Sequence, residues 1–265
     1  MLYEQIAPPP SLTNYVKYFW IGEAPASQHH LFIHHATAAS SAKLVFHYQG
    51  GFHEKSASGE IRKSFSSGIQ GQSKIHTQFI SSQSIGILGV EFYPYAIPLL
   101  FSLPATELTN QYIDLKTFFG NKGEVLEESI FLAQSTGQRV SILTQFLESL
   151  IKPAKKTHII DAVQQLNKSK GNINLELFAR QLPFSQRQFE RLFKELVGFS
   201  PKSYLRILKF EKALPLIYSV DSFTSLALDA GYYDQAHFNH DFKEFTGLHP
   251  KDYLKATINQ EGLYA

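Results

Sequence analysis

The spacing of apolar residues changes character along the chain. Over residues 10–20, Leu12, Tyr15, Val16 and Phe19 recur at intervals of three or four or stand adjacent, which predicts a short amphipathic helix. Short runs with strand character follow: Leu31–Ile33, Lys43–Tyr48, Ile75–Ile80 and Ser84–Phe92. Gly and Ser separate them, which predicts an antiparallel sheet or barrel. Residues 95–150 turn to the helical period, with stripes over 124–132 and 140–150 that pack internally or form a seam between two copies.

Beyond Ile151-Lys152-Pro153-Ala154-Lys155-Lys156 the pattern is helical throughout. Proline stops the preceding helix and the lysines suit a solvated connection. The expected division is therefore an N-terminal domain over 1–151, a linker over 152–157 and a C-terminal domain over 158–258. Ile159, Ile160, Val163 and Leu166 predict one helix, and Asn174 caps the next, Leu175 to Gln181. Ser185 with Gln188 predicts a capping box on a third. On that helix Phe189, Leu192, Phe193 and Leu196 form one buried stripe, so Gln186, Arg187, Glu190, Arg191 and Lys194 point outward. Pro215 lacks a backbone donor, so the helix running from Tyr204 to about Leu214 bends or ends there.

This C-terminal part repeats itself. One copy reads Leu177-x-Ala179, Ser185-x-Arg187-x-Phe189-x-Arg191-x-Phe193-Lys194 and Gly198-Phe199-Ser200-Pro201-x-x-Tyr204-Leu205. The other reads Leu226-Ala227, Gly231-Tyr232-x-Asp234-Gln235-x-His237-Phe238, Phe242-Lys243 and Gly247-Leu248-His249-Pro250-x-x-Tyr253-Leu254. Self-similarity of this kind marks one supersecondary unit used twice. Its layout, a short helix, a tight turn and a helix with a polar outer face, is that of a helix-turn-helix that enters the DNA major groove. The units span about 173–197 and 222–246.

Charge and composition sharpen this picture. Residues 1–150 hold 9 basic and 11 acidic residues, and residues 151–265 hold 16 and 12, the sign expected if the second part meets phosphates. Within it the first unit is basic, with eight basic and three acidic residues over 180–212. The second is acidic, with three basic and six acidic over 221–255, so the first should supply most of the affinity. No run of 18 apolar residues predicts a membrane span. The start of the chain lacks a basic region followed by an apolar stretch, which reads as no signal peptide and a cytoplasmic protein. Cysteine is absent, which excludes disulfides, thiolate metal sites and cysteine nucleophiles. No Gly-rich phosphate loop, nucleophile triad or paired catalytic carboxylates point to an enzyme.

Arg187 and Arg191, one turn apart, present guanidinium forks that match guanine O6 and N7, with Gln186, Gln188 and Glu190 flanking them. Lys194, Lys202 and Arg206 suit phosphates. Together the motifs over roughly 155–256 resemble the DNA-binding region of the AraC/XylS family of bacterial transcription regulators. Similarity extends upstream through Tyr15-Val16-Lys17-Tyr18-Phe19-Trp20, Gly89-Val90-Glu91-Phe92-Tyr93-Pro94 and Pro104-Ala105-Thr106-Glu107-Leu108-Thr109. The resemblance implies an α+β chain: a β-rich, cupin-like N-terminal domain, barrel or sheet, with flanking helices, then an all-α domain with two helix-turn-helix units. It implies double-stranded DNA as partner, and allows RNA polymerase, a small-molecule effector and a second copy. It extends the base-reading set to Gln235, Ala236, Asn239 and His240, and the phosphate set to Asn174, Ser185, His237 and Lys243. His240 stands where the family commonly has Arg.

Seven of the eleven histidines lie in the N-terminal domain. His30 with His34, or His47 with His76, could ligate a metal on neighbouring strands, but no carboxylate completes such a site at a fixed spacing, and no cofactor or metal is expected. The rival reading is a metal- or ligand-binding cupin-like protein whose helical half binds a protein instead of DNA.

Overall fold

Alternation decides the architecture of the first half. In a computed structural model describing residues 2–26, 31–56, 58–152 and 157–258, Lys43–Gln49 forms a strand. Its Leu44 and Phe46 join one apolar cluster while Val45 joins another, as the two-residue period of a strand requires. This strand, β4, lies in a six-stranded antiparallel sheet with β1 (Leu2–Ile6), β2 (Val16–Ala24), β7 (Ser67–Gln70), β9 (Ile85–Phe92) and β10 (Tyr112–Asp114), ordered β1-β2-β9-β4-β7-β10. A second sheet, ordered β3-β8-β5-β6, comprises β3 (Phe32–Ala36), β5 (His53–Lys55), β6 (Ile61–Lys63) and β8 (Thr77–Ser81). Trp20, Phe32, Val45, Phe52, Phe79 and Ile87 fill the space between the sheets. Gly89 makes room there, since a Cβ on it would lie 2.1 Å from the Trp20 ring.

The outer face of the larger sheet is covered by helices. These are α1 (Ala96–Phe101), α2 (Leu115–Phe119), α3 (Asn121–Leu132) and α4 (Thr136–Ser149). Leu126, Ile130, Leu143 and Leu147 pack on Phe19, Leu44, Phe46, Leu88 and Phe92. The greater part of both predicted stripes therefore packs internally, while Val125 and Leu132 stay exposed. With helices on one face and the second sheet on the other, all eight residues of β9 are buried.

Residues 10–20 do not form the amphipathic helix their spacing suggests. Pro10–Leu12 makes one 3₁₀ turn, and Val16 begins β2, which pairs with both β1 and β9. The aromatic and β-branched run Val16–Ile21 fits a pleated surface buried on both sides better than a helix.

His47, on β4, lies against the Phe52 ring, and its Nδ1 sits 3.1 Å from the Phe65 carbonyl oxygen. Burial lowers its pKa to about 4 from the ordinary 6.5. An unfolded chain takes up this proton first, so stability should fall as pH drops from 6.5 towards 4, by about 3 kcal/mol in all. Urea unfolding of His47→Leu across that range should show the slope reduced.

The second half is helical: α5 (His158–Lys168), α6 (Leu175–Arg180), α7 (Gln186–Val197), α8 (Pro201–Ala213), α9 (Phe223–Ala230), α10 (Gln235–Thr246) and α11 (Pro250–Ile258). An aromatic core unites them, with Phe189 and Phe193 against Tyr204 in one part and Phe210 against Phe242 and Phe245 in the other. Helix α8 ends at Ala213, and the chain continues through Pro215 as a 3₁₀ segment, Leu214–Tyr218. Pro153–Lys156, the heart of the expected linker, and His30 lie outside the described residues. Among the described residues no helix is long and apolar enough to cross a membrane.

The β-domain touches the helical half at several named points. Thr109 Oγ1 donates to the Gly198 carbonyl oxygen at 3.2 Å and Lys74 Nζ to Ser203 Oγ at 3.0 Å. The Ala38 N–H donates to the Phe245 carbonyl oxygen at 3.1 Å. Ser40 donates twice to the Glu211 carboxylate.

Candidate nucleic-acid interface

Helix α7 is fixed at its start by its own sequence. Ser185 accepts from the Gln188 N–H at 3.2 Å, and Gln188 Oε1 accepts from the Ser185 N–H at 3.1 Å, completing the capping box. Phe189 and Phe193 anchor the inner face, with Leu192 and Leu196 packed beside them. The outer face carries Gln186, Arg187, Glu190, Arg191 and Lys194, all exposed. Their commitments differ. Gln186 Nε2 donates to Glu190 Oε1 at 3.1 Å, and Arg191 pairs with Glu195 at 2.9 Å. Arg187 forms no hydrogen bond or ion pair among the described residues. Gln188 and Ser185 spend polar atoms on the cap, which leaves them less to offer a ligand than their positions suggest.

The turn before α7 and the helix after it complete this unit. Asn174 caps α6 by accepting from the Leu177 N–H at 3.0 Å. Lys202 is exposed at the start of α8. Arg206 is not free to reach outward. Its guanidinium bonds Asp241 Oδ1 at 2.6 Å and Glu244 Oε2 at 2.5 Å, both on α10. Asp241 is wholly enclosed, and these two carboxylates hold the Arg206 guanidinium charged even more firmly than usual. Arg206, expected from the sequence to meet a phosphate, is thus a pin between the connecting helix and the second unit.

Helix α10 offers less than α7. Its N-cap, Asp234, accepts from the His237 N–H at 2.7 Å. Gln235 is half-buried and accepts from Thr224 Oγ1 at 2.6 Å. Asn239 is half-buried, with its side-chain oxygen enclosed. Ala236, His237, His240 and Lys243 are exposed, with His240 Nδ1 3.5 Å from Asp241. Of the four expected base readers here, Ala236 and His240 face solvent and Gln235 and Asn239 turn partly inward. Sequence reasoning missed Asp241 and Glu244, whose acidity three residues apart was the available signal.

His47 and His76 do not come together: His47 lies between the sheets, whereas His76 sits under Gly247, where a Cβ would meet its Nε2 at 2.4 Å. Among the described residues, His240, Asp241 and Glu244 bring three ligand atoms within 4.8 Å, but the Arg206 guanidinium already occupies both carboxylates.

A cavity of about 320 Å³ lies where the β-domain meets α8. Lys17, Lys43, Glu91 and Glu211 supply its charges. Lys17 and Lys43 approach Glu91 at 3.8 and 3.6 Å, and Glu91 Oε2 is enclosed with no hydrogen-bond partner among the described residues. His34, Lys43 and Gln70 also line a smaller space of about 50 Å³ between the sheets, walled by Trp20, Phe52, Phe79 and Ile87.

Residues 178–256 match a family model described as a helix-turn-helix domain, and residues 4–114 match one described as a domain of unknown function. No curated protein matches the chain. Among solved structures, ToxT from Vibrio cholerae is similar at 14% identity and a TM-score of 0.51, over 89% of this chain and 98% of that one. The C-terminal domain of AraT, a response regulator from Geobacillus stearothermophilus, is similar at 28% identity and a TM-score of 0.36, over 40% of this chain and 90% of that one. The likeness to ToxT extends across both halves, so the two-part fold is a shared one.

Proposed function

We propose that the chain is a DNA-binding transcription regulator of the AraC/XylS family, that its first helix-turn-helix reads the operator and that the cavity beside α8 holds an effector. The observation that carries the first part is the unequal freedom of the two recognition helices. Helix α7 projects an uncommitted Arg187 and a loosely paired Arg191, whereas α10 turns Gln235 and Asn239 partly inward. In this reading Arg187 and Arg191 touch base edges, and Gln186 and Glu190 flank them. Lys194 and Lys202 meet phosphates, joined by Asn174 and Ser185 at the helix starts. His240, Ala236, His237 and Lys243 add weaker contacts, and the acidic outer surface of the second unit faces RNA polymerase.

The second part rests on the enclosed Glu91 oxygen, which accepts no hydrogen bond among the described residues, and on the two ammonium groups beside it. A cavity with convergent polar groups and an apolar floor is the usual form of a small-molecule site.

Duplexes selected from a random pool test the first part. Binding should weaken steeply with salt, the logarithm of the affinity falling by about 0.9 per phosphate neutralised for each decade of salt. Failure to enrich any sequence, or binding indifferent to salt, would refute it.

A further inference from the structure

The two recognition helices end alike, and both ends press on the β-domain. Gly198 and Gly247 each close their helix in the left-handed conformation, at φ 87° and φ 80°. A Cβ on Gly198 would meet Gln72 Nε2 at 1.8 Å, and one on Gly247 would meet the His76 ring. The duplicated turn is therefore the place where one rigid body bears on both units. Helix α8, which joins them, is held to the same body near its start by Lys74, which donates to Ser203, and near its end by one carboxylate. Glu211 Oε1 accepts from the Ser40 N–H and Oε2 from Ser40 Oγ, both at 2.7 Å.

The loop that carries Ser40 reaches further. Its Ala38 N–H bonds the Phe245 carbonyl oxygen at the end of α10, and its Ser41 Oγ accepts from Lys17 Nζ at 2.7 Å. Lys17 in turn faces Glu91. Lys17, Ser41, Glu91 and Glu211 all line the 320 Å³ cavity. One short loop thus touches the cavity, the connecting helix and the second recognition helix.

We propose that Glu211 is the positioning residue through which the β-domain sets the placement of α10 relative to α7, and through which occupancy of the cavity reaches DNA. The proposal rests on the operator-reading role of α7 given above. A ligand that takes Lys17 or Glu91 shifts Ser41, and the loop passes the shift to Glu211 and Phe245. The burial that favours protonated Glu211 is opposed by Lys17 and by both Ser40 bonds, so the carboxylate depends on this loop.

The test uses the full-length chain and two variants. Glu211→Met removes both bonds at similar volume, and Ser40→Ala removes only the hydroxyl, a milder change should the first fail to fold. Amide hydrogen exchange reads the latch without DNA. In Glu211→Met the amide of Ser40, and in either variant α8 and the last turn of α10, should exchange about tenfold faster or more, as expected for lost hydrogen bonds to a charged group, with α3 and α4 unchanged. On selected duplexes, affinity for the complete site should fall by about tenfold while affinity for the half contacted by α7 holds. Unchanged exchange in both variants, or equal losses on complete and half sites, would overturn the proposal. A native chain that binds no duplex, with the exchange response intact, would instead overturn the operator-reading role.

Discussion

Replacing Arg206 by alanine should lower the stability of the chain by about 3–5 kcal/mol, the range seen when one partner of a buried ion pair is removed. Asp241 is wholly enclosed and takes the Arg206 fork at 2.6, 3.2 and 3.3 Å. Without that fork a carboxylate remains inside the protein, and the other basic groups within 4.0 Å of it among the described residues are His237 and His240, at 4.0 and 3.5 Å. Arg206→Lys keeps the charge but loses the planar fork, and a point charge on a flexible stem does not replace two directed donors. It should recover little of the loss. Arg206→Met combined with Asp241→Leu removes both charges and should restore much of it. Urea denaturation of the three variants measures this. A loss under about 1 kcal/mol for Arg206→Ala would place the pair with solvated surface bridges, and the pin would not exist.

The second large effect falls on DNA. Arg187→Ala should weaken binding to the selected duplex by about 1–3 kcal/mol, roughly fivefold to 150-fold, and relax preference at one base position. Arg191→Ala should cost somewhat less, because Arg191 must first give up Glu195, an exposed pair worth no more than about 1 kcal/mol. Both side chains are exposed, so thermal stability should stay within about 0.5 kcal/mol of the native chain. Gel shifts on the selected duplex and on single-base variants separate these outcomes. If the double variant binds as tightly as the native chain, α7 is not the reading helix.

How far the sequence reveals this molecule depends on how local each feature is. The capping box at Ser185, the stripe through Phe189 and Phe193 and the break at Pro215 are written within a dozen residues, and all three stand in the structure. Strand β4 is equally legible, because seven residues suffice to show alternation. The strands β5, β6, β7 and β10 have three or four residues each, too few to display any period. Residues 10–20 carry a spacing compatible with a helix, and pairing with β1 and β9 draws their second half into a strand. The site follows the same rule. Outward-facing arginines on α7 follow from one helix, whereas the fate of Arg206 is settled by carboxylates 35 and 38 residues away. The cavity draws its walls from β2, β4, β9 and α8, so no single stretch of chain announces it.

The chain has one tryptophan, and the floor that Gly89 provides holds it against the smaller cavity, 8% exposed. An indole so placed is a natural optical gauge. Its emission comes from one known spot, needs no label, and changes when a ligand displaces water or touches the ring. Screening compounds by tryptophan fluorescence, excited where tyrosine does not absorb, would therefore report on the interior of the β-domain.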